Sequence, residues 1–266
     1  MQLRDAVIIV TGASAGIGAD CVKQLAAQGT HVVAVARRDE ALSALIASLP
    51  GQHSWVAGDI ALPDTMQSVV DHAIHVFGRI DGIVCNAGIG LSAPVAELRW
   101  ADVVQCMNVN VGGVVFAVQA VLPQFNAQQH GSIVVVSSVV GVQGLPFSGG
   151  YCASKGALER LCDALRIELL GSPIHLSVVR PGTVATEFFA HRLGSNGEVR
   201  QQATRGISPH AVATVVLRTL TRHPRISYTR WQDRMLLLAS ALAPGVADKL
   251  LHRMIRWRNT HTPHAQ

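Results

Sequence analysis

Short β-branched runs recur along the chain at Ala6–Val10, His31–Ala36, His53–Ala57, Gly82–Cys85, Ser132–Ser137 and His175–Arg180. Apolar residues fall on both alternating faces of these runs, which predicts parallel strands covered by helices on each side. Between them, Ile17–Gln28, Glu40–Leu49, Thr65–Phe77, Trp100–Phe125, Ser154–Leu170 and Pro209–Thr221 repeat their apolar positions at helical spacing. Ser208 before Pro209 reads as a helix cap. Strand and helix alternate, so the expected fold class is α/β: a doubly wound parallel sheet of the Rossmann type in three αβα layers.

The pattern changes in two places. From Glu187 to Ile207 the residues Gly194, Ser195, Asn196 and Gly197 break any period, so 187–207 reads as a lid or substrate loop after the core strands. Beyond residue 230, Met235–Ala243 is apolar, Pro244-Gly245 interrupts it, and Ala247, Leu250, Leu251 and Met254 return at helical spacing, with Lys249, Arg253 and Arg256 on the other face. The chain therefore divides into a catalytic domain over 1–230 and a basic, amphipathic helical extension over 231–266. The extension, which also holds Trp257, packs on its own domain, meets a partner subunit, or rests peripherally on an anionic membrane.

Composition narrows the class. About half the residues (49%) are apolar and 15% charged, which suits a large buried core and excludes disorder. Nine Lys or Arg follow from Arg218 onward against only Asp233 and Asp248. No aromatic-basic interleaving accompanies that excess, so no nucleic-acid partner is expected. The five cysteines are odd in number and lack C-x-x-C spacing, and the first strand starts too early for a signal peptide. Both observations point to a cytoplasmic protein with reduced thiols. The uncharged stretches 103–129 and 131–154 are long enough to span a bilayer, but their Gln, Asn, Ser, Gly and Pro residues favour buried protein. The histidines form no H-x-x-x-H or H-x-H pair with supporting ligands, so no metal is expected.

Chemistry enters with Thr11-Gly-Ala-Ser-Ala-Gly-Ile-Gly18, which follows the first strand and opens a helix. Gly12 permits a tight turn, Gly16 lets backbone approach a pyrophosphate, and Gly18 lets helix and strand pack closely; Ile17 lies within the same loop. About twenty residues further on, where an acid would accept a ribose 2′-hydroxyl, stands Ala36, followed by Arg37 and Arg38. Guanidinium groups suit a 2′-phosphate, with Ser14 as an added hydroxyl, so NADP(H) is the expected cofactor. The competing reading has both arginines opening a solvated helix with Asp39 and Glu40 as ion-pair partners.

The T-G-x-x-x-G-x-G spacing, together with Tyr151-Cys-Ala-Ser-Lys155, resembles the compact single-domain branch of the short-chain dehydrogenase/reductase family. Asp59, Asn86-Ala87-Gly88, Asn110, Ser138, Pro181-Gly182 and Thr186 stand in that family's order, so the resemblance covers nearly the whole chain. It implies an oxidoreductase interconverting a carbonyl and an alcohol, with an Asn110, Ser138, Tyr151 and Lys155 tetrad. Tyr151 would act as general acid or base, with Lys155 one helical turn on lowering its pKa and holding the nicotinamide ribose. Ser138 would orient the substrate oxygen, and Asn110 would order a water beside Lys155. Ser137 is the neighbouring competitor, but strand alternation sends it to the opposite face. Asn108 is expected to be a helix-surface or packing residue.

The resemblance also implies Asp59 and Ile60 at the adenine, and Asn86, Ala87 and Gly88 along the cofactor's middle. Pro181, Gly182 and Thr186 complete the cofactor set. Leu145, Phe147, Phe188 and Phe189 are expected to join Ser138 and Tyr151 in a mainly apolar pocket for a small-molecule, lipophilic carbonyl or alcohol. Pairing of the weakly charged helices 100–125 and 154–170 across a two-fold axis would give a homodimer or homotetramer. The rival from another class is a sensor or scaffold that binds NADP(H) without turnover.

Overall fold

The computed structural model describes residues 1–186, 188, 192–194 and 206–261, with side chains of the last helix described through Arg253. Seven strands form one parallel sheet in the order β3-β2-β1-β4-β5-β6-β7. They are β1 (Val7–Thr11), β2 (His31–Ala36), β3 (Ser54–Ala57), β4 (Gly82–Cys85), β5 (Gly131–Val136), β6 (Ile174–Arg180) and β7 (Ile226–Tyr228). The helices are α1 (Gly16–Ala27), α2 (Asp39–Ala47), α3 (Pro63–Phe77), α4 (Trp100–Met107), α5 (Gly113–Gln128), α6 (Gly149–Glu168), α7 (Pro209–Arg222), α8 (Trp231–Leu242) and α9 (Pro244–His261).

Both faces of the sheet are dry, which is why the strands read as continuous apolar runs. On one face Ile9, Val35, Ile83, Val135 and Val178 meet α3, α5 and α6 through residues such as Met66, Val70, Val121, Phe125 and Leu158. On the other, Ile8, Val10, Val84, Val134 and Val179 meet α1, α2 and α7 through Val22, Leu25, Leu42, Val216 and Leu220. The strand order reverses between β1 and β4, so the crevice beyond their carboxyl ends is where such a sheet admits a ligand.

Three elements depart from the expected pattern. The helix over 100–125 is two helices, joined by a π-helical segment at Asn108–Gly112. Such a widened turn inserts a residue without ending the helix, so it leaves the apolar period almost intact. Helix α6 starts at Gly149, five residues earlier than expected. Glycines hide a helix start in a sequence, and Gly150 is needed here because a Cβ on it would stand 2.4 Å from Leu91 Cδ2. Strand β7, three residues long and paired with β6, is too short to carry a period.

The apolar stretch over Trp100–Gln128 satisfies the length and hydropathy of a membrane span. Here α5 buries Val114, Ala117, Val121 and Phe125 in the core instead. All five cysteines are free, and four of them are buried. Burial pushes the Cys85 and Cys162 thiols up to about 12, which keeps them protonated and unreactive at neutral pH.

Candidate active site

Every strand on the reversal side ends in a candidate residue. β1 runs into Gly12, β2 into Arg37 and Arg38, β4 into Asn86, β5 into Ser138, and β6 into Pro181. The glycine loop is shaped by contacts that side chains would break. Gly12 and Gly16 have φ of 66° and 55°, in the left-handed region. A Cβ on Gly12 would lie 2.8 Å from Ala87 Cα, and one on Gly18 would lie 2.2 Å from the Gly12 carbonyl oxygen. A Cβ on Gly16 would come within 3.2 Å of the Thr186 methyl, which brings that β6-side residue to the loop.

Asn86 supports the loop from beneath. Its side-chain amide donates to the Thr11 carbonyl at 3.1 Å, while the Thr11 hydroxyl oxygen accepts from the backbone of Asn86 at 3.0 Å and of Ala87 at 3.1 Å. The side chain of Asn86 therefore shapes the cradle rather than lining it. Helix α1 begins at the cradle without a side-chain cap, leaving its first N–H groups facing a phosphate's place. The glycine cradle and the uncapped helix start fit a dinucleotide pyrophosphate.

At the end of β2, Arg38 donates to the Ser14 hydroxyl oxygen through Nε at 3.2 Å and a terminal nitrogen at 3.1 Å. Neither Arg37 nor Arg38 forms an ion pair among the described residues, and Asp39 instead accepts the Trp55 indole N–H at 2.8 Å. The solvated-pair reading thus fails for Asp39. Arg37 and Asp59 border a cavity of about 360 Å³ that Ile89, Val104 and Asn108 also line. Asn108 is exposed at the helix surface, as expected, and also lines this cavity from the π-helical segment. Asp59 accepts from the Ala61 N–H at 3.0 Å, and buried Ile60 packs against Gly113.

The reacting centre gathers around the first two turns of α6. Tyr151 keeps a partly accessible ring in a densely packed neighbourhood, and that desolvation pushes the phenol above its ordinary range. Cys106 and Cys152 push the same way, and the hydrogen bond with Ser138 pulls it back in part. The expectation that Lys155 lowers this pKa is not what the protein by itself shows: the ammonium sits 5.9 Å from the ring centroid and donates to the Val136 carbonyl at 3.0 Å. Burial, not a charge partner, dominates here.

Lys155 is 4% exposed, and burial draws its ammonium down to about 8. The unfolded chain keeps that proton to about pH 10.4. The buried charge therefore costs stability below pH 8, and the cost disappears as pH rises from 8 toward 10.5. We expect Lys155→Met to unfold at higher urea than the parent at pH 7, by on the order of 2 kcal/mol, and to lack the parent's alkaline rise. Urea titrations at pH 7 and pH 10 check both effects.

Ser138 caps the short turn after β5, accepting from the Val140 N–H at 3.3 Å and donating to the Pro181 carbonyl at 3.4 Å. Its neighbour Ser137 is buried and its hydroxyl has no hydrogen-bond partner among the described residues. Asn110 sits in the π-helical segment, completely buried. Its carbonyl accepts from the Ile89 N–H at 2.8 Å, and its amide donates to the Ile89 carbonyl at 2.9 Å and to Ser154 Oγ at 2.9 Å. The Ser154 hydroxyl in turn donates to the Tyr151 carbonyl at 2.8 Å. Asn110 thus locks the start of α6 to the strand-end loop, and a Cβ on Gly88 would fall 3.0 Å from its Oδ1 and 3.7 Å from Lys155 Nζ.

One feature was not legible in the sequence. Glu159, one turn after Lys155 on α6, receives a two-pronged hydrogen bond from Arg180 at 3.0 and 2.9 Å, and Arg180 also donates to the Tyr228 hydroxyl at 2.8 Å. Both charges are buried directly beneath the Pro181 turn. Phe188, expected beside Tyr151, folds back over the site, its ring 5.6 Å from that of Tyr151. Leu193 bridges to Leu91, so the excursion returns to the body at that point. Leu145 lies 37% exposed, while Phe147 holds a left-handed φ of 60° and its carbonyl accepts from Ser92 and Ala93. Phe147 therefore has a backbone task besides any contact with substrate. Glu187, Phe189 and most of 187–207 lie outside the described residues.

A larger cavity of about 470 Å³ opens at the opposite end of the strands, near Asp81, His130, His175 and His223. Its carboxylate is committed, since Asp81 is held by the Val7 N–H, Arg79 and His130. Size does not make this the site; the convergent glycine loop, Tyr151 and Lys155 lie elsewhere. No cluster with metal-ligating potential occurs among the described residues.

Residues 6–195 match the family model described as short chain dehydrogenase. The chain is 31% identical over 258 residues to dehydrogenase/reductase SDR family member 7B of Xenopus tropicalis, covering 92% of this chain and 80% of that one. It is 37% identical over 203 residues to 17-beta-hydroxysteroid dehydrogenase type 1 of Homo sapiens, covering 73% of this chain and 61% of the human protein. Among solved structures, a short chain dehydrogenase/reductase from Burkholderia phymatum in complex with NAD superposes with a TM-score of 0.86 at 22% identity, over 92% of this chain and 96% of that one.

Proposed function

The chain belongs to the short-chain dehydrogenase/reductase family of oxidoreductases, whose fold binds a nicotinamide dinucleotide, and from that premise we propose that it interconverts a lipophilic carbonyl and its alcohol with NADP(H). The observation that carries this reading is the convergence of Tyr151, Ser138, Lys155 and Asn110 at the mouth of the glycine cradle. Gly12, Gly16, Gly18 and the start of α1 would hold the pyrophosphate. Lys155, Gly88, Pro181, Gly182 and Thr186 would flank the nicotinamide half, and Arg37, Asp59 and Ile60 the adenosine half. When bound, the nicotinamide supplies or accepts a hydride.

The protein's residues supply the rest. Ser138 holds the substrate oxygen beside Tyr151. The Tyr151 phenol, like any tyrosine, is protonated at neutral pH, so in the reductive direction it donates its proton to the carbonyl oxygen as negative charge develops there. Lys155, poised near neutrality, and Asn110 behind it return a proton from solvent. Phe188 over the Tyr151 ring makes the substrate's surroundings apolar. The human relative is named for a hydroxysteroid, which agrees with a hydrophobic substrate. A panel of aliphatic, aromatic and steroid-like carbonyls tests this: NADPH consumption on at least one is expected, and binding without turnover on all of them would remove the catalytic reading.

Preference for NADP(H) rests on the paired Ser14 and Arg38 at the end of β2, with no acid at Ala36. Arg38→Ala is expected to lower kcat/KM for NADPH by about 10- to 100-fold, the worth of one charge-assisted hydrogen bond set, and to leave NADH use nearly unchanged. Equal loss with both cofactors would assign Arg38 a structural role. Exposed Trp100 and Val104 on α4, Ile167 on α6 and Leu170 just after it support a homodimer or homotetramer, and the protonated, unpaired thiols agree with a cytoplasmic setting.

A further inference from the structure

Helix α8 touches the body through few residues. Leu237 and Ser240 are buried, and the Asp233 carboxylate accepts from the Thr229 hydroxyl at 3.4 Å and would meet a Cβ on Gly182 at 3.0 Å. The helix therefore starts beside the Pro181-Gly182 turn, at the rim of the candidate site. Its remaining surface faces outward. Trp231, Met235, Leu238 and Leu242 recur at spacings of four, three and four, which makes one stripe, and they are 74%, 53%, 49% and 87% exposed.

Helix α9 takes α8 as its main neighbour and adds Val246 and Leu250, 58% and 57% exposed. The expectation that this segment packs on its own domain is thus met only by α8, through one narrow edge. Taken together, Trp231–Leu242 and Pro244–Arg253 reach the hydropathy of a membrane span, but a bend of 120° between them is geometry for lying along a surface rather than crossing it.

Charge selects what covers this stripe. From residue 230 onward six Lys or Arg stand against two Asp, so four of the chain's five net positive charges fall in its last 37 residues. Arg234, Lys249 and Arg253 are exposed around the apolar stripe. A protein interface core is depleted of such charge, whereas an anionic lipid surface attracts basic residues and accepts Trp at its interface.

We propose that α8 and α9 form a monotopic docking surface for anionic phospholipid, holding the rim of the candidate site against the bilayer. The surface is independent of which nicotinamide or carbonyl the site takes, and its test reads binding without turnover. The full chain is expected to pellet with vesicles of phosphatidylcholine containing about 30% phosphatidylglycerol at least about tenfold better than with phosphatidylcholine alone. Raising salt from about 0.1 M to about 1 M should remove most of that gain. Leu242→Glu with Leu250→Glu should leave the protein in the supernatant while its thermal melt and its NADPH consumption in solution stay unchanged. Equal pelleting with and without phosphatidylglycerol vesicles, or undiminished pelleting of the double variant, would overturn the proposal. So would a parent dimer in sedimentation equilibrium that the double variant dissociates and that shows no vesicle binding, which would assign the face to a second copy of the chain.

Discussion

Tyr151→Phe is expected to lower kcat by about 10²- to 10⁴-fold, the usual worth of a positioned proton donor, while NADPH binds within a factor of about two of the parent. The substitution removes one oxygen and keeps the ring, so the contact with Phe188 at 5.6 Å and the hydrogen bond from Ser154 to the Tyr151 carbonyl persist. Removing a hydroxyl that burial already keeps neutral also leaves no buried charge behind. A structural role for Tyr151 therefore predicts a change in melting temperature with partial activity, whereas the catalytic role predicts a normal melt and lost turnover. Stopped-time NADPH consumption, fluorescence titration of NADPH and a thermal melt on the same preparation separate the two outcomes.

Glu159→Leu is expected to cost about 3–5 kcal/mol of stability, the largest effect of any single change considered, because it strands the Arg180 guanidinium in a buried site. Burial alone would lower the guanidinium pKa, and the Glu159 carboxylate more than reverses it, so the net shift is upward. Without Glu159 only the Tyr228 hydroxyl, at 2.8 Å, remains as an acceptor. For a chain of this size the melting temperature should fall by on the order of 10 °C. Glu159→Leu combined with Arg180→Met should recover most of the loss, since two apolar side chains of similar volume replace a pair whose desolvation was costly from the start.

The pair also bears on chemistry. Arg180 precedes Pro181, whose carbonyl accepts the Ser138 hydroxyl and the Val139 N–H, so the stabilised double variant should still show a reduced kcat with little change in the NADPH KM. Melting curves and steady-state kinetics of the two variants provide the check. An unchanged melt for Glu159→Leu would mean that Arg180 finds another partner, and the positioning role would fall with it.

The glycine loop, the strand ends and the Tyr151–Lys155 spacing were readable from residues alone because each is local. A tight turn needs glycine within a few positions, a buried strand needs a run of β-branched residues, and a helix brings positions four apart onto one face. Ser138 could be told from Ser137 for the same reason, through the two-residue period of a strand. Ala36 followed by Arg37 and Arg38 marked a cofactor preference by composition at a known distance from the loop. That Arg38 engages Ser14 rather than Asp39 depended on the packing of α2 against β3, where Trp55 claims the Asp39 carboxylate.

What tertiary structure decided is mostly burial and long-range partnership. The π-helical turn at Asn108–Gly112 breaks no period, yet it puts Asn110 inside the protein and Asn108 at the cavity. Nothing in the local spacing links Glu159 on a helix to Arg180 at a strand end, and only the fold brings them to 2.9 Å and excludes water. The sequence placed Lys155 beside Tyr151 and so suggested a lowered phenol pKa. The folded chain buries Lys155 and packs closely around Tyr151, lowering the one pKa and raising the other, because the free energy of a charge depends on the solvent it has lost, which no spacing along the chain records.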